Sequence, residues 1–267
     1  MRNAPVFGSI TRLALVAVAA VGLTACDVVV NTMDGGKARA VDQWARTYTM
    51  SESALIEVAN TNGRIFVEGT DGTTVDVKAE ITARAGTDEA ARDLLTQIEI
   101  REEQGNGRVR LETRYPKGLG RSSVEVKYTL RVPRGAKVDV ETVNGAIELV
   151  QLTGQVRAET TNGGVRGRDL GGAVTATSTN GGLDIAMNGL GADGVDLETT
   201  NGGIELRLPE QTKGTVSVRC VNGGISVTDL PIEKTETSRR RLEGTLNGGG
   251  PAIRIETVNG GIRIRRS

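Results

Sequence analysis

The sequence predicts an all-β protein, folded as a flattened single-chain β-solenoid (β-helix-like) with about 18–21 residues per coil and one short helix in its N-terminal part. Asn-Gly recurs at near-constant spacing, since ten of the thirteen asparagines precede glycine. Apolar and polar residues alternate with period two on both sides of these dipeptides, which is typical of strands. Only 2% of residues are aromatic, so the core must consist of small aliphatic side chains.

The repeated turn defines the length of one coil. The segment ETTNGG occurs at Glu159 and at Glu198, and near-copies occur at four other places. The first four intervals between the asparagines of these six segments are 18, 18, 21 and 21 residues. Because Asn-Gly favours positive φ, we expect a tight turn at each copy. Stacking would align the side-chain amides in a ladder, where they can hydrogen-bond to one another. The asparagines of this predicted ladder are Asn144, Asn162, Asn180, Asn201, Asn222 and Asn259.

A second predicted ladder lies two residues before each asparagine and points inward. A unit of about nine plus nine residues cannot bury its apolar face alone, so we expect successive coils to stack ~4.8 Å apart. The members of this ladder are Thr142, Thr160, Ser178, Thr199, Cys220 and Thr257. Cys220 is interpreted as a small buried thiol in place of threonine. A reactive role would need partner residues, and the sequence suggests none.

The N-terminus has the layout of an export signal. Arg2 and Arg12 form a short basic region, and the apolar run 13–23 is shorter than the ~20 residues needed to span a bilayer. The following LTAC resembles the lipobox of bacterial lipoproteins, which implies a lipoprotein signal peptide at 1–25 and a diacylglycerol on Cys26. An ordinary cleaved signal and an N-terminal membrane anchor are the alternatives. We interpret residues 26–53 as a lipid-anchored tether.

The remainder divides into two regions. Residues 54–135 are predicted to be an N-terminal β region that caps the stack, and LIEVANTNGRIFVEG within it indicates one more coil. Its short helix begins after Thr87, which can serve as N-cap. Residues 136–267 are predicted to be regular repeats, with a loop or hairpin insertion at 228–251 before a final coil.

Composition and charge exclude several classes of function. The chain has no histidine, which removes the commonest general base and metal ligand. Lys+Arg and Asp+Glu number 33 each, so no overall field favours nucleic acid. We therefore predict no catalytic residue, no metal and no cofactor. An outward column of carboxylates is the one candidate for acid–base chemistry: Glu141, Glu159, Glu198 and Glu256.

Several motifs in fixed order resemble a known family. VEVKYTLRVPRGAKVDVETVNGAIEL is followed by repeated T-x-N-G-G-I units and then by LEGTLNGGGPAIRIETVNGGIRI. Over roughly residues 54–265, this resembles the bacterial adhesin-like domain-of-unknown-function family. The resemblance implies a β-solenoid in exported or envelope proteins, without established enzymatic activity.

These observations together predict a non-enzymatic, lipid-anchored protein of the bacterial cell envelope. We expect an adhesin or scaffold that presents a rigid β-solenoid surface, with the membrane as partner through the N-terminal lipid and an envelope protein or polysaccharide as further partner. Its location would be the outer membrane and periplasm or the inner membrane. The alternative is a β-helix enzyme that degrades polysaccharide with surface carboxylates.

Overall fold

The computed structural model describes residues 29–30, 37–51 and 53–267, with the backbone alone for 29–30. The predicted signal peptide and Cys26 lie outside the described residues. The described chain forms two eleven-stranded sheets and one short helix, which confirms the flattened solenoid. No helix among these residues is long and apolar enough to span a membrane.

The N-terminal region contains eight strands and the helix. They are β1 (Val29–Val30), β2 (Ala38–Thr49), β3 (Leu55–Asn62), β4 (Ile65–Thr70), β5 (Thr74–Ala85), α1 (Asp88–Leu95), β6 (Glu99–Gly105), β7 (Arg108–Arg114) and β8 (Ser123–Pro133).

The repeat region contains fourteen strands. They are β9 (Lys137–Asn144), β10 (Ile147–Val150), β11 (Val156–Asn162), β12 (Val165–Leu170), β13 (Val174–Asn180), β14 (Leu183–Met187), β15 (Val195–Asn201), β16 (Ile204–Leu208), β17 (Gly214–Asn222), β18 (Ile225–Thr228), β19 (Ile232–Thr237), β20 (Arg241–Leu246), β21 (Ala252–Asn259) and β22 (Ile262–Arg266).

Each coil contributes one strand to each sheet and bends at its Asn-Gly. The front sheet has the order β1-β2-β5-β8-β4-β10-β12-β14-β16-β22-β18, and the back sheet has the order β19-β20-β17-β21-β15-β13-β11-β9-β3-β7-β6. Neighbouring coils pair in parallel and in register, as Val156 with Val138 and with Val174 shows. Apart from a shift between Gly167 and Leu170 of β12, register is kept along the coils, because a one-residue slip would turn the apolar rows toward solvent.

The core lies between the sheets as aliphatic rows. Ile147 and Leu149 are fully buried in β10, whereas Glu148 between them points to the outside. Burying one such side chain contributes about 1.5–3 kcal/mol. Every coil adds a similar layer, so the core is as long as the stack.

The last two coils do not follow chain order, which corrects the expectation that successive coils are neighbours. β21 lies between β15 and β17, and β22 lies between β16 and β18. The insertion at 228–251 provides the reason, because it folds into the hairpin β19–β20. β20 pairs antiparallel with one side of β17. The final coil therefore pairs with the other side of β17, between β17 and β15.

The predicted tether is also shorter than expected. Ala38–Thr49 form a full strand, and all twelve residues pair with β5. Ala38, Ala40 and Tyr48 are buried there, while the charged residues between them hide the alternation in the sequence. The short helix forms after Thr87, whose hydroxyl oxygen accepts a 3.2 Å hydrogen bond from the Ala90 N–H.

Candidate functional site

The asparagines of the coils form one ladder along a corner of the stack. Each side-chain N–H donates to the side-chain oxygen of the next asparagine, as Asn180 does to Asn162 at 3.0 Å and Asn201 to Asn180 at 2.9 Å. Asn62 of the first coil extends the ladder, since it accepts from Asn144 at 2.6 Å. In spatial order the members are Asn62, Asn144, Asn162, Asn180, Asn201, Asn259 and Asn222.

The glycine that follows each of the six predicted asparagines is required for a different reason from the one predicted. Neither the six predicted asparagines nor the glycines after them adopt positive φ. Instead, the backbones of adjacent coils touch at the bend. A Cβ at Gly181 would lie 1.9 Å from the carbonyl oxygen of Gly163, and one at Gly163 would lie 2.0 Å from that of Gly145. Close stacking, rather than turn conformation, therefore selects glycine.

The inward hydroxyl column fastens each coil to its neighbour. Thr160 donates to the Gly145 carbonyl oxygen at 2.9 Å, and Thr199 donates to that of Gly181 at 2.8 Å. Thr142, Ser178 and Thr257 make equivalent bonds. Cys220, in the coil at the end, is buried and free, and its sulfur lies 4.0 Å from the carbonyl oxygen of Arg239 in the hairpin. Both ladders thus have structural roles.

The carboxylate column lies on the outer face of the back sheet. Glu141 and Glu159 are neighbours, Thr177 interrupts the column, and Glu198 and Glu256 are neighbours beyond it. Close by, burial raises the pKa of Asp139, against the opposing influence of the Arg157 guanidinium. The residues that the structure describes contain no group of three or more His, Cys, Asp or Glu side chains able to hold a metal ion.

A shallow groove of about 530 Å³ runs along the outer face of the front sheet, beside the bends. Its floor is backbone, because the second glycine of four turns carries no side chain: Gly164, Gly182, Gly203 and Gly261. Its rim is charged and consists of Glu148, Arg166, Asp184, Glu205 and Arg263. Such a surface offers backbone and charged groups to an extended ligand.

Ion pairs between neighbouring strands hold the rim in place. Arg166 bridges Glu148 at 3.7 Å and Asp184 at 3.8 Å. Arg207 pairs with Asp184, and Arg265 donates to Glu205 at 2.7 Å. The hydrogen bond from Arg265 is the main reason that the pKa of Glu205 is lowered. Because the rim carries carboxylates and arginines, and Arg207 and Arg265 pair with two of the carboxylates, the groove has little net charge.

A second depression, of about 280 Å³, adjoins this groove near the N-terminal end. Phe66 of β4 lines it and is in register with Glu148 on one side and with Thr129 of β8 on the other. Lys78 and Arg131 also line it. Phe66 is half-buried and belongs to the outward parity of β4. We call this depression the Phe66 pocket.

Sequence reasoning did not identify either depression. The place of Phe66 on the outer face depends on the pairing of β4 with β8 and β10, which the sequence does not show. The groove needs the second glycines of several coils to align. The repeated Gly-Gly was the signal available in the sequence, and it was interpreted only as a turn.

A buried tyrosine network closes the N-terminal end of the asparagine ladder. The Tyr115 hydroxyl donates to the side-chain oxygen of Asn60 at 2.7 Å, and the Asn60 side chain donates to the Val126 carbonyl oxygen at 2.8 Å. Tyr128 and Thr113 share a 2.6 Å hydrogen bond between their hydroxyls. Burial raises the pKa of Tyr115 to about 12 and also raises the pKa of Tyr128.

Comparisons with known proteins agree with this architecture. Residues 134–265 match the family model described as Toastrack DUF4097. The fold is similar to that of a proposed cell adhesion protein from Clostridium sporogenes, with a TM-score of 0.50, 10% identity and coverage of 85% of this chain and 100% of that one. A proposed adhesin from Bacteroides fragilis is 14% identical, with a TM-score of 0.39 and coverage of 85% and 97%. No curated protein matches the sequence.

At these identities, the likeness to the Clostridium sporogenes protein concerns the fold alone. The family match is independent of it and covers the coils from β9 to β22, apart from the last residue of β22. The resemblance to an adhesin-like family of unknown function is confirmed by the family match, and the likeness to the solved structure agrees with the fold. The repeat region of this chain, residues 134–265, is similar to the Toastrack DUF4097 family.

Proposed function

We propose that the protein is a non-enzymatic, lipid-anchored component of the bacterial cell envelope that presents its solenoid as a rigid binding surface. The observation that carries this proposal is the groove on the outer face of the front sheet. It crosses five parallel strands in register, so an extended ligand would meet the same backbone geometry at every ~4.8 Å step. The shared fold with a proposed cell adhesion protein agrees with such a role.

The chemistry of the outer faces supports binding rather than catalysis. The rim carboxylates of the groove face arginines in neighbouring strands, as Glu148 faces Arg166. Both depressions are shallow and open to solvent, where water screens charges and weakens acid–base chemistry. The carboxylate column keeps the enzyme alternative testable, since Glu198 and Glu256 lie one strand apart, close to the ~5 Å separation of retaining glycosidases.

Anchoring rests on the sequence around Cys26 and on where the described fold begins. β1 starts at Val29, three residues after Cys26, and three residues span at most ~11 Å. β1 lies at the N-terminal edge of the front sheet. A lipid on Cys26 would therefore hold this end of the stack near the membrane and direct the hairpin β19–β20 away from it.

Two measurements test the proposal. Cells expressing the wild type or the Cys26→Ser variant are labelled with a fatty acid and fractionated. We expect label and membrane association only in the wild type; an unlabelled wild type, or a serine variant that stays in the membrane, would contradict anchoring.

The second measurement separates binding from catalysis. The purified chain is incubated with envelope polysaccharides, and new reducing or unsaturated ends are quantified. We expect none. Turnover that disappears in Glu198→Gln or Glu256→Gln, but not in an exposed control such as Glu233→Gln, would establish the enzyme instead.

A further inference from the structure

We propose that the Phe66 pocket binds one acidic sugar unit, and that the adjoining groove takes the polysaccharide chain to which this unit belongs. The inference rests on the proposed function, because it assumes that the front face is presented to envelope polymers.

The first observation is the departure of Phe66 from its column. In the other six coils the outward position in register with Phe66 holds a charged or polar residue: Glu148, Arg166, Asp184, Glu205, Arg263 and Ser226. The described outer faces carry no other aromatic side chain at such a position. The ring lies on the outer face of the sheet, away from the aliphatic rows of the core. In a binding site it is useful, because the apolar face of a pyranose packs on an aromatic ring.

The second observation is the charge around the ring. Arg64 lies over it, with the guanidinium carbon 5.6 Å from the ring centroid. Arg131 pairs with Glu68 at 3.3 Å, and Asp76 accepts a 2.6 Å hydrogen bond from Thr47. These acids are therefore already engaged by the protein.

Lys78 is the cation that remains available to a ligand. It is exposed, lines the pocket, and makes no hydrogen bond or ion pair with any residue that the structure describes. Its strand neighbour across the sheet is Thr129, which stands beside Phe66. A free ammonium and an aromatic ring, two strands apart, suit a ligand that carries a carboxylate next to an apolar ring face.

The volume of the Phe66 pocket limits how many sugar units it can bind. At about 280 Å³ it lies just below the ~300–1,000 Å³ of small-molecule sites, which suits one sugar ring rather than an oligosaccharide. A chain extending from that ring would continue into the groove, because Glu148 lines the groove and neighbours Phe66. The five strands of the groove cover ~19 Å, which leaves room for further units.

The test measures binding of the purified full chain to polygalacturonate, with dextran as the neutral probe. We expect binding to polygalacturonate that weakens with salt, and none to dextran. Phe66→Ser places at this position the residue that the column has at Ser226, and should lower affinity about tenfold. Lys78→Gln should lower affinity several-fold and reduce the salt dependence, whereas Lys213→Gln, at an exposed lysine in the loop before β17, should change nothing.

The outcomes are separable from those of the proposed function. Equal binding of dextran, unchanged affinity in both Phe66→Ser and Lys78→Gln, or absence of any binding to polygalacturonate would each overturn the inference. If Phe66→Ser alters the melting temperature, Lys78→Gln decides, since that side chain is exposed and makes no hydrogen bond or ion pair with a described residue. Membrane fractionation of wild type and Cys26→Ser is unaffected by any of these results, so anchoring is judged independently.

Discussion

The regular coils and the N-terminal region join neighbouring layers of strands through different contacts. In the coils, the same hydrogen bond recurs from layer to layer. Thr199, for example, donates to the backbone carbonyl oxygen of Gly181. In the N-terminal region the equivalent contact is made once, by the longer Asn60 side chain to Val126. Tyr115 then satisfies the free end of Asn60. Repeated backbone contacts impose a repeated sequence, whereas a cap built from unique side chains does not.

The largest expected effect is a difference in stability between glycine substitutions in the two regions. Gly181→Ala puts a Cβ 1.9 Å from a carbonyl oxygen of the next coil, so adjacent backbones must move apart. We expect the free energy of unfolding to fall by about 3 kcal/mol or more. Gly86→Ala is the matched change in the N-terminal region, where no atom lies within 4 Å of the added group.

Chemical denaturation of both variants checks this difference. Gly86→Ala should be neutral or slightly stabilising, because it reduces the entropy of the unfolded chain. Equal losses in the two variants would show that close stacking at the bend is not what selects glycine.

The next effect concerns the buried tyrosines, which lie only in the N-terminal region among the described residues. Tyr128→Phe leaves the buried Thr113 hydroxyl without its 2.6 Å partner, and should cost about 1–2 kcal/mol at neutral pH. The raised pKa values of Tyr115 and Tyr128 mean that folding favours their neutral forms. Their contribution is complete below pH 10, the ordinary tyrosine pKa, and is lost as pH rises above it.

A pH titration followed by tryptophan fluorescence measures the loss of this contribution directly, because Trp44 lies in β2 of the same region. We expect the N-terminal region to loosen at alkaline pH before the strand signal of the coils is lost. Simultaneous loss of both signals, with the same midpoint in Tyr128→Phe, would be the contrary result.

A smaller effect is expected along the asparagine ladder. Asn180→Ala removes two amide hydrogen bonds, to Asn162 and from Asn201. Because the ladder is exposed and water replaces part of what is lost, we expect about 1 kcal/mol. Asn222, at the end of the ladder, makes one such bond, so Asn222→Ala should cost less. Thermal melts of the two variants would refute a cooperative ladder if the terminal change cost as much as the internal one.

The smallest effect is chemical and leaves stability almost unchanged. Asn-Gly loses ammonia when the glycine nitrogen attacks the asparagine side chain, and water then opens the resulting ring to an acid. In the coils that nitrogen is bound, as Gly181 N–H is to the Asn201 carbonyl oxygen at 3.0 Å. Asn106-Gly107, the two-residue turn between β6 and β7, has neither its glycine N–H nor its asparagine side chain in a hydrogen bond with a described residue.

Peptide mapping after long incubation at mildly alkaline pH measures this contrast. Asn106 should convert to acid in the folded protein while Asn180 does not, and both should convert in denaturant. Conversion of Asn180 at the same rate in folded and unfolded protein would contradict the protection. The Asn106→Gly variant, which keeps a residue tolerant of positive φ, serves as the control.

The sequence was most informative where the structure repeats itself. Coil length, inward residues and the alignment of Asn162 with Asn180 follow from periodicity, because stacked layers need the same residue at the same bend. The position of the last coil does not follow, since parallel strands of equal pattern can pair in any order. The Phe66 pocket did not follow either, because it joins strands whose pairing leaves no periodic trace.

The order of the last coils gives the most direct test of the register on which this account depends. Thr200 and Val258 lie on neighbouring strands, ~4.8 Å apart, whereas Thr200 and Val221 are separated by the inserted coil at about twice that distance. In a background with serine at positions 26 and 220, Thr200→Cys/Val258→Cys should form a disulfide on mild oxidation, which requires Cα atoms ~4.4–6.8 Å apart. A disulfide in Thr200→Cys/Val221→Cys, and none in the first pair, would contradict the structure described.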